Sequence, residues 1–268
     1  MGVEHATPGT LIFLVILLGP ILYFIKRARS GEDIFVRRIA GIDALDESIG
    51  RAAELGRPIS FSTGLTGVGP ILYAILGVLS YVAERAARFK TPLLVPQNDP
   101  EVMAIVEDVV RDSYRRASRL SYFEPQNIRY LSDSQFAFAS GYMGLVHREN
   151  VAAAFLFGTF AAESLILAEA GQQVGAMQVG ASVSPEQVAF FICACDYTLI
   201  GEELYAASAY ISKDPVQLGS LAGQDIAKLV FFVLIIIGVA IATLNSLYPE
   251  WQLNNVEYWL LKPWGGEA

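Results

Sequence analysis

The sequence STGLTGVG at residues 62–69 has the composition of a ligand-binding loop. It places Gly64, Gly67 and Gly69 in a GxxGxG spacing between an apolar run and a helical segment. Backbone N–H groups of such a loop can face an anion at the start of a helix. The spacing is neither the GxGxxG of dinucleotide-binding folds nor the P-loop pattern, and the P-loop lysine is missing. The loop is thus a candidate site for a nucleotide or another anionic ligand, with ordinary turn chemistry as the alternative.

Other polar residues follow predicted strands at the points where those strands end. In an open parallel sheet, ligands bind in the crevice beyond the carboxyl ends of the strands. The predicted ligand-binding residues at this edge are Ser62, Thr63, Gly64, Gly67, Gly69, Asn98, Asp133 and Thr159. Polar residues at strand ends also serve as turn and cap residues, so the same pattern fits an edge without a ligand.

Glu163 and the pair Cys193 and Cys195 are the remaining groups with chemical potential. Glu163 falls early in an apolar helix, where a carboxylate could act as an acid or base or could favour the helix dipole. The two cysteines supply only two soft ligands, which do not complete a structural zinc site, and buried cysteines commonly pack as small hydrophobes. We therefore predict no catalytic residue, no metal site and no identifiable cofactor.

Two apolar stretches indicate that the chain is attached to a membrane. The chain has 268 residues, of which 53% are apolar and 17% charged. Residues 10–26 and 228–248 are each long enough to cross a bilayer. A cleaved signal peptide is the alternative for the first stretch, but its basic cluster follows the apolar run instead of preceding it. The remaining predicted regions are an N-terminal flank (1–9), a central domain (27–226) and a C-terminal tail (249–268).

The basic residues predict the orientation of these two spans. Of the 19 lysines and arginines, 18 lie from Lys26 to Lys228, between the spans. Four of them, Lys26, Arg27, Arg29 and Lys228, lie close to the ends of the spans. By the positive-inside rule, the middle of the chain is cytoplasmic and both termini are outside, across the inner (plasma) membrane.

Two groups of residues are candidates for contact with a membrane or a partner protein. The tail contains Trp251, Trp259 and Trp264, the three tryptophans of the protein, and tryptophan is enriched at membrane interfaces. A short interfacial helix is therefore expected there. Small residues such as Ala206 and Ala207, beside Tyr210, permit close packing of another helix, and the core of the domain could use the same surface.

Residues 27–226 alternate apolar, strand-like runs with helical segments. This alternation predicts an α/β fold: a Rossmann-like, mostly parallel sheet of about five strands, inserted between the two transmembrane helices. The predicted strands are 57–64, 91–97, 127–132, 151–158 and 175–182. The apolar segment that begins at Ser184 could contain a sixth strand. Its Ser-Pro-Glu-Gln start and its length favour one long helix leading toward the second span.

The sequence GPILY occurs twice, at residues 19–23 and 69–73. The first copy ends an apolar span and is followed directly by basic residues. The second follows the glycine-rich loop, and its clean apolar part is only about a dozen residues, the length of a buried core helix. We therefore predict that the second copy begins the first crossover helix of the domain, and that the similarity is coincidental.

The charge of the central domain argues against nucleic acid as a partner. Residues 30–226 contain 14 basic and 23 acidic side chains, a net charge of about −9. Arg111, Arg115, Arg116 and Arg119 recur at helical spacing, but acidic residues intersperse them. This pattern is typical of a solvated helix face.

The stretches RRIAGIDALDESIGRAAELGRP and CDYTLIGEELYAASAYIS resemble an uncharacterised prokaryotic membrane-protein family defined only as a domain of unknown function. The resemblance implies the membrane topology and brings no catalytic residues. From the residues, we expect a membrane-anchored structural or scaffold subunit that self-associates or joins other membrane subunits. The alternative is a membrane-tethered Rossmann-like enzyme or sensor that binds a nucleotide or other anion at residues 62–69.

Overall fold

A computed structural model describes residues 8–32, 40–212 and 214–247. The chain divides into two compact units, one made of the two terminal regions up to Val36 and from Lys213, the other of residues Arg37–Ser212. In chain order the elements are α1 (Pro8–Arg29), α2 (Ala40–Leu55), β1 (Ile59–Gly64), α3 (Pro70–Phe89), β2 (Leu93–Gln97), α4 (Pro100–Arg116), β3 (Ile128–Tyr130), α5 (Gln135–Glu149), β4 (Ala153–Thr159), α6 (Ser164–Gln173), β5 (Met177–Ser182), α7 (Pro185–Ala194), β6 (Tyr197–Ile200), α8 (Glu203–Ser212) and α9 (Pro215–Leu247).

The terminal unit is a hairpin of α1 and α9. The backbone of Gly219 approaches Ile25 and that of Gly223 approaches Ile21, so closely that a Cβ on either glycine would lie within 3 Å of α1 backbone atoms. The ring of Phe13 stacks on that of Phe231, with 5.8 Å between the centroids. The contact partner on α1 moves to lower residue numbers as the residue number on α9 increases, so the two helices run antiparallel.

Both helices of the hairpin are long and apolar enough to cross a membrane. Helix α9 begins at Pro215, well before the predicted span at 228, because Asp214 caps it: its carboxylate accepts a hydrogen bond from the Val216 N–H at 2.7 Å. The predicted interfacial tail, with Trp251, Trp259 and Trp264, lies outside the described residues.

The central unit is an α/β domain built on a fully parallel sheet. The strand order is β3-β2-β1-β4-β5-β6. Strands β2 and β3 are added in turn on one side of β1, and β4, β5 and β6 are added in turn on its other side. Helices α2, α3, α4 and α8 pack on one face and α5, α6 and α7 on the other. The central strands β1, β4 and β5 are buried on both faces, which explains the nearly continuous apolar sequence of β4.

The second GPILY sequence lies at the start of α3, the helix that connects β1 to β2. By length and composition α3 could also cross a membrane. Eight of its side chains are nevertheless buried in the core of the domain, among them Leu72, Ile75 and Val82. Its apolar sequence is therefore accounted for by packing against the sheet, α4 and α8.

The segment after Ser184 differs from the prediction of one long helix. Helix α7 ends at Ala194, and residues 197–200 form β6, the sixth strand, before α8 begins at Glu203. The sheet therefore has six strands within the described residues, where about five were predicted. The reason is tertiary: the free edge of β5 pairs with β6, and the Asp196 carboxylate accepts a hydrogen bond from the Gln178 N–H at 2.7 Å.

Candidate functional site

The candidate site lies at the carboxyl edge of the sheet, where the β1–α3 and β4–α6 loops emerge side by side. At this point the covering helices change from one face of the sheet to the other. Such a switch point is where open α/β sheets usually bind ligands. The predicted ligand-binding residues are distributed over the loops of β1, β2, β3 and β4 along this edge.

Thr66 joins the two loops at the switch point. Its buried hydroxyl donates to the Thr63 carbonyl at 2.6 Å and accepts from the Thr159 N–H at 2.8 Å. The Leu65 N–H also donates to the Thr159 carbonyl at 2.8 Å. The space between β1 and β4, which a ligand occupies in many open sheets, is here bridged by the protein itself.

Two glycines permit this close approach of the strands. Gly64 has a left-handed φ of 62°, and a Cβ there would lie 2.5 Å from both the Thr159 carbonyl and the ring of Phe160. Gly158 also has positive φ, and a Cβ there would lie 2.3 Å from the Thr63 carbonyl. Gly64 coincides with a register shift between β1 and β4. These glycines are required by packing and backbone conformation.

Gly67 and Gly69 differ from Gly64 because, among the described residues, neither close packing nor a left-handed backbone conformation requires glycine at these positions. A Cβ on either residue would meet no atom within 4 Å, and neither has a left-handed φ. Gly69 precedes Pro70, the first residue of α3, and no side chain caps this helix start. The first N–H groups of α3 therefore have no side-chain acceptor at the N-cap position, where a ligand could accept hydrogen bonds from them.

Thr63 and Gln97 form a buried polar pair at the ends of β1 and β2. The Thr63 hydroxyl donates to Gln97 Oε1 at 2.9 Å, and Gln97 has no exposed surface. Gln97 Nε2 is buried without a hydrogen-bond partner. A buried amide nitrogen without a partner is costly, by about 1–3 kcal/mol. It could donate to a carbonyl, hydroxyl or other acceptor.

The β2–α4 and β3–α5 loops are held together by Asn98. Its side-chain amide donates to the carbonyls of Ser132 and Asp133, at 3.0 Å each. Asp99 caps α4 by accepting from the Glu101 N–H at 2.8 Å. The carboxylate-bearing Asp133 remains exposed. The loop residues at this end of the edge thus present carboxylates and backbone groups, without a lysine or arginine among the predicted site residues.

Glu163 is fully buried next to the switch point. Its two carboxylate oxygens accept hydrogen bonds from Gln135 Nε2 at 2.7 Å and from the Ala161 N–H at 2.9 Å. It lies at the N-cap of α6. These contacts connect the start of α5 to the β4–α6 loop, so the carboxylate has a structural role in the observed arrangement.

Cys193 lies on α7, which packs on the same face of the sheet as α5 and α6, and Cys195 lies just after the end of this helix. Burial, followed by the charge of Asp196, raises the pKa of the Cys195 thiol to about 12, whereas Cys193 is exposed. A thiol with a raised pKa is a poor nucleophile and metal ligand. In the part of the chain that the structure describes, no group of three or more histidine, cysteine or acidic side chains could hold a metal ion.

The predicted interface residues on α8 are partly used inside the domain. Ala207 is fully buried, and Ala206 and Tyr210 are half-buried against the same core. Helix α8 packs closely on α3, since a Cβ on Gly77 would collide with the side chain of Ser208. The small residues therefore provide a helix–helix contact within the domain.

The arginines of α4 line a groove between α3 and α4 of about 520 Å³. Arg111 pairs with Glu107 and Asp108, and Arg115 and Arg116 both pair with Asp112. As predicted for a solvated helix face, each of these three arginines has an acidic neighbour on its own helix. These three arginines are therefore balanced by three carboxylates of the same helix, Glu107, Asp108 and Asp112.

Sequence reasoning missed Thr66. It placed Gln97 at the end of a predicted strand on this edge but did not predict that its amide nitrogen would be buried without a partner. Threonine within a glycine-rich loop is too common to signal a bridge between strands. Gln97 had a usable signal, because a glutamine that ends an otherwise apolar strand must find a partner when it is buried.

The comparison with known proteins identifies a family. The sequence profile described as Domain of unknown function (DUF6754) matches residues 3–252, which is most of the chain. No curated protein and no solved structure matches the chain. The extent of the match, which includes both terminal helices and the whole α/β domain, shows that the chain belongs to the DUF6754 family.

Proposed function

We propose that this protein is a membrane-anchored structural subunit of an oligomeric membrane complex. The observation that carries the proposal is the α1–α9 hairpin, which closes through Gly219 and Gly223 yet exposes large apolar side chains along its outer surface. Such a surface requires lipid or other protein to cover it. Since the helices are antiparallel, the ends of the hairpin at Pro8 and Leu247 lie at one side of the membrane and the ends at Arg29 and Pro215 at the other.

The α/β domain is proposed to be Rossmann-like and cytoplasmic. The strand order 3-2-1-4-5-6 is that of doubly wound dinucleotide-binding folds. Basic residues at the domain end of α1, Lys26, Arg27 and Arg29, favour the cytoplasmic side. The polar groups of Thr66 and Glu163 are used in contacts that hold the loops, which supports a structural role for this edge.

Native mass spectrometry of the protein extracted from membranes in mild detergent tests the structural role. We expect a complex with more than one subunit, either several copies of this chain or this chain with others. A monodisperse monomer, observed again in lipid nanodiscs, would contradict the proposal.

A second function is favoured by one observation, the partnerless Nε2 of Gln97. We propose as the alternative that a nucleotide or related polar ligand binds beside the Gly67–Gly69 loop, with Gln97 Nε2 donating to it. Thermal-shift measurements with nucleotides test this: a stabilising ligand should lose its effect in Gly67→Val, where a side chain would cover the loop. Gly50→Ala is the matched control, because Gly50 is also free of neighbours but lies on α2. Absence of any shift with the nucleotides would remove support from this alternative.

A further inference from the structure

The register of the hairpin places charged residues of α9 beside the apolar middle of α1. Gly223 contacts Ile21, so the antiparallel pairing puts Asp225 level with about Gly19 and Lys228 with about Ile16. The Phe13–Phe231 stack has the same register, and Asp225 and Lys228 lie between this stack and the Gly223–Ile21 contact. Both charges therefore lie at the depth of an uninterrupted apolar stretch of α1.

At this depth α1 shows the properties of a lipid-facing helix. Leu18 and Leu22 are 41% and 64% exposed, and the first basic residue of α1 is Lys26, one turn after Leu22. If this level were in water, α1 would expose leucines over more than a full turn. The exposed leucines therefore indicate that the apolar layer of the bilayer extends across the level of Asp225 and Lys228.

The charged side chains point away from α1. The α9 residues that face α1, Gly219, Gly223 and Ala227, recur at intervals of four and are buried. Asp225 lies midway between the last two, on the opposite side of the helix. The side chain of Asp225 is 76% exposed and that of Lys228 is 53% exposed, and the ammonium lies 3.9 Å from the carboxylate. The outer face of α9 thus carries an acid and a base about one turn apart.

Charged side chains at membrane depth face protein or a water-filled cavity almost without exception, because contact with hydrocarbon is costly. One side of the hairpin therefore suits lipid and the other suits protein. We propose that the outer face of α9 around Asp225 and Lys228 is the interface with a second copy of this chain. The inference rests on the proposed function, for which it specifies the partner and the contact.

Charge complementarity favours a second copy as the occupant. Both copies have the same orientation in the bilayer, so a two-fold axis along the membrane normal brings the two α9 helices together in parallel. Asp225 of one copy then lies about 4.5 Å in height from Lys228 of the other, within reach of a lysine side chain. The symmetry repeats the contact, so the patch pairs with itself through two reciprocal ion pairs.

Charge variants test the interface by subunit mass in lipid nanodiscs. Asp225→Lys and Lys228→Asp each place like charges across the two-fold axis, and each should weaken self-association more than about tenfold. The exchanged variant D225K/K228D restores opposite charges and should restore the mass of the wild-type protein. Gln217→Lys, a charge two turns away on the same helix, is the control and should leave the mass unchanged.

The outcomes separate this inference from the proposed function. A wild-type monomer would contradict the proposed function itself. A wild-type oligomer whose mass is unchanged in both single variants would overturn the α9 interface alone, and would place these charges against lipid headgroups or a different subunit. Dissociation in the single variants without recovery in D225K/K228D would overturn the reciprocal pairing. Retention of all variants in the membrane fraction checks that insertion is intact.

Discussion

The Thr63 hydroxyl donates to Gln97 Oε1 at 2.9 Å, at the buried ends of two neighbouring strands, while the amide nitrogen of Gln97 has no partner. The pair joins β1 to β2 through side chains just where their backbones diverge into loops. The amide nitrogen of Gln97 is therefore a buried hydrogen-bond donor without an acceptor, and it is the feature of this edge that most favours a bound ligand.

Replacement of both members of this pair by apolar residues should be nearly neutral. Thr63→Val alone or Gln97→Met alone leaves the other polar group without its partner and should cost about 1–3 kcal/mol of unfolding free energy. The double variant removes both groups and should lie within about 1 kcal/mol of the wild-type protein. Urea denaturation in mild detergent measures all three. A double variant much less stable than either single variant would mean that Gln97 has a partner of its own.

Loss of the Thr66 hydroxyl should destabilise the switch point. Thr66→Val removes the group that joins the Thr63 carbonyl to the Thr159 N–H, and should cost about 1–3 kcal/mol because both backbone groups stay buried. Thr66→Ser keeps the hydroxyl and serves as the control. Denaturant midpoints compare the two variants, and an equal loss in both would assign the effect to packing of the methyl group.

A large side chain at Gly223 should separate the two terminal helices. Its Cβ would lie 2.4 Å from Ile21 Cα, a backbone atom that cannot rotate away. Gly223→Leu should therefore abolish short-range chemical cross-linking between cysteines introduced at Phe13 and Phe231, read by peptide mass spectrometry. In Gly238→Leu, where the added Cβ meets nothing within 4 Å, cross-linking should persist. Equal yields in both variants would contradict the close contact.

The two native cysteines should differ strongly in reactivity. The thiolate is the reacting form, and a pKa of about 12 keeps Cys195, which is partly buried, almost entirely protonated at pH 8. Iodoacetamide should therefore modify exposed Cys193 in the folded protein and reach Cys195 only after unfolding. Peptide mass spectrometry at several times and at pH 8 and 10 follows both sites. Comparable rates at pH 8 would show that Cys195 is accessible.

Most of the secondary structure was predictable because it depends on local patterns. The doubly buried strand at 153–159 reads as a continuous apolar run, and Asp99 before Pro100 marks the start of α4. The sixth strand was not predictable in this way. Residues 197–200 (YTLI) cover only four positions, too few to show a period, and they form a strand because the edge of β5 is available to them.

The candidate site was predictable in outline and not in detail. The polar residues do gather along the carboxyl edge, which follows from the parallel sheet. Which of them stay available depends on contacts between distant segments: Gly64 is required where β1 meets β4, whereas Gly67 is free of neighbours. The spacing GxxGxG contains no information on that difference.

The two apolar terminal helices and the alternation of strands and helices follow from the sequence alone, since each is encoded by hydrophobic length or periodicity, and the basic residues at the end of α1 are read directly from it. Contacts between distant segments are needed for Thr66 to bridge β1 and β4, and for α9 to pair with α1 in a register that puts Asp225 level with about Gly19. The register of the two helices depends on close packing at Gly219 and Gly223. Such packing is a property of two surfaces together, and neither segment specifies it alone.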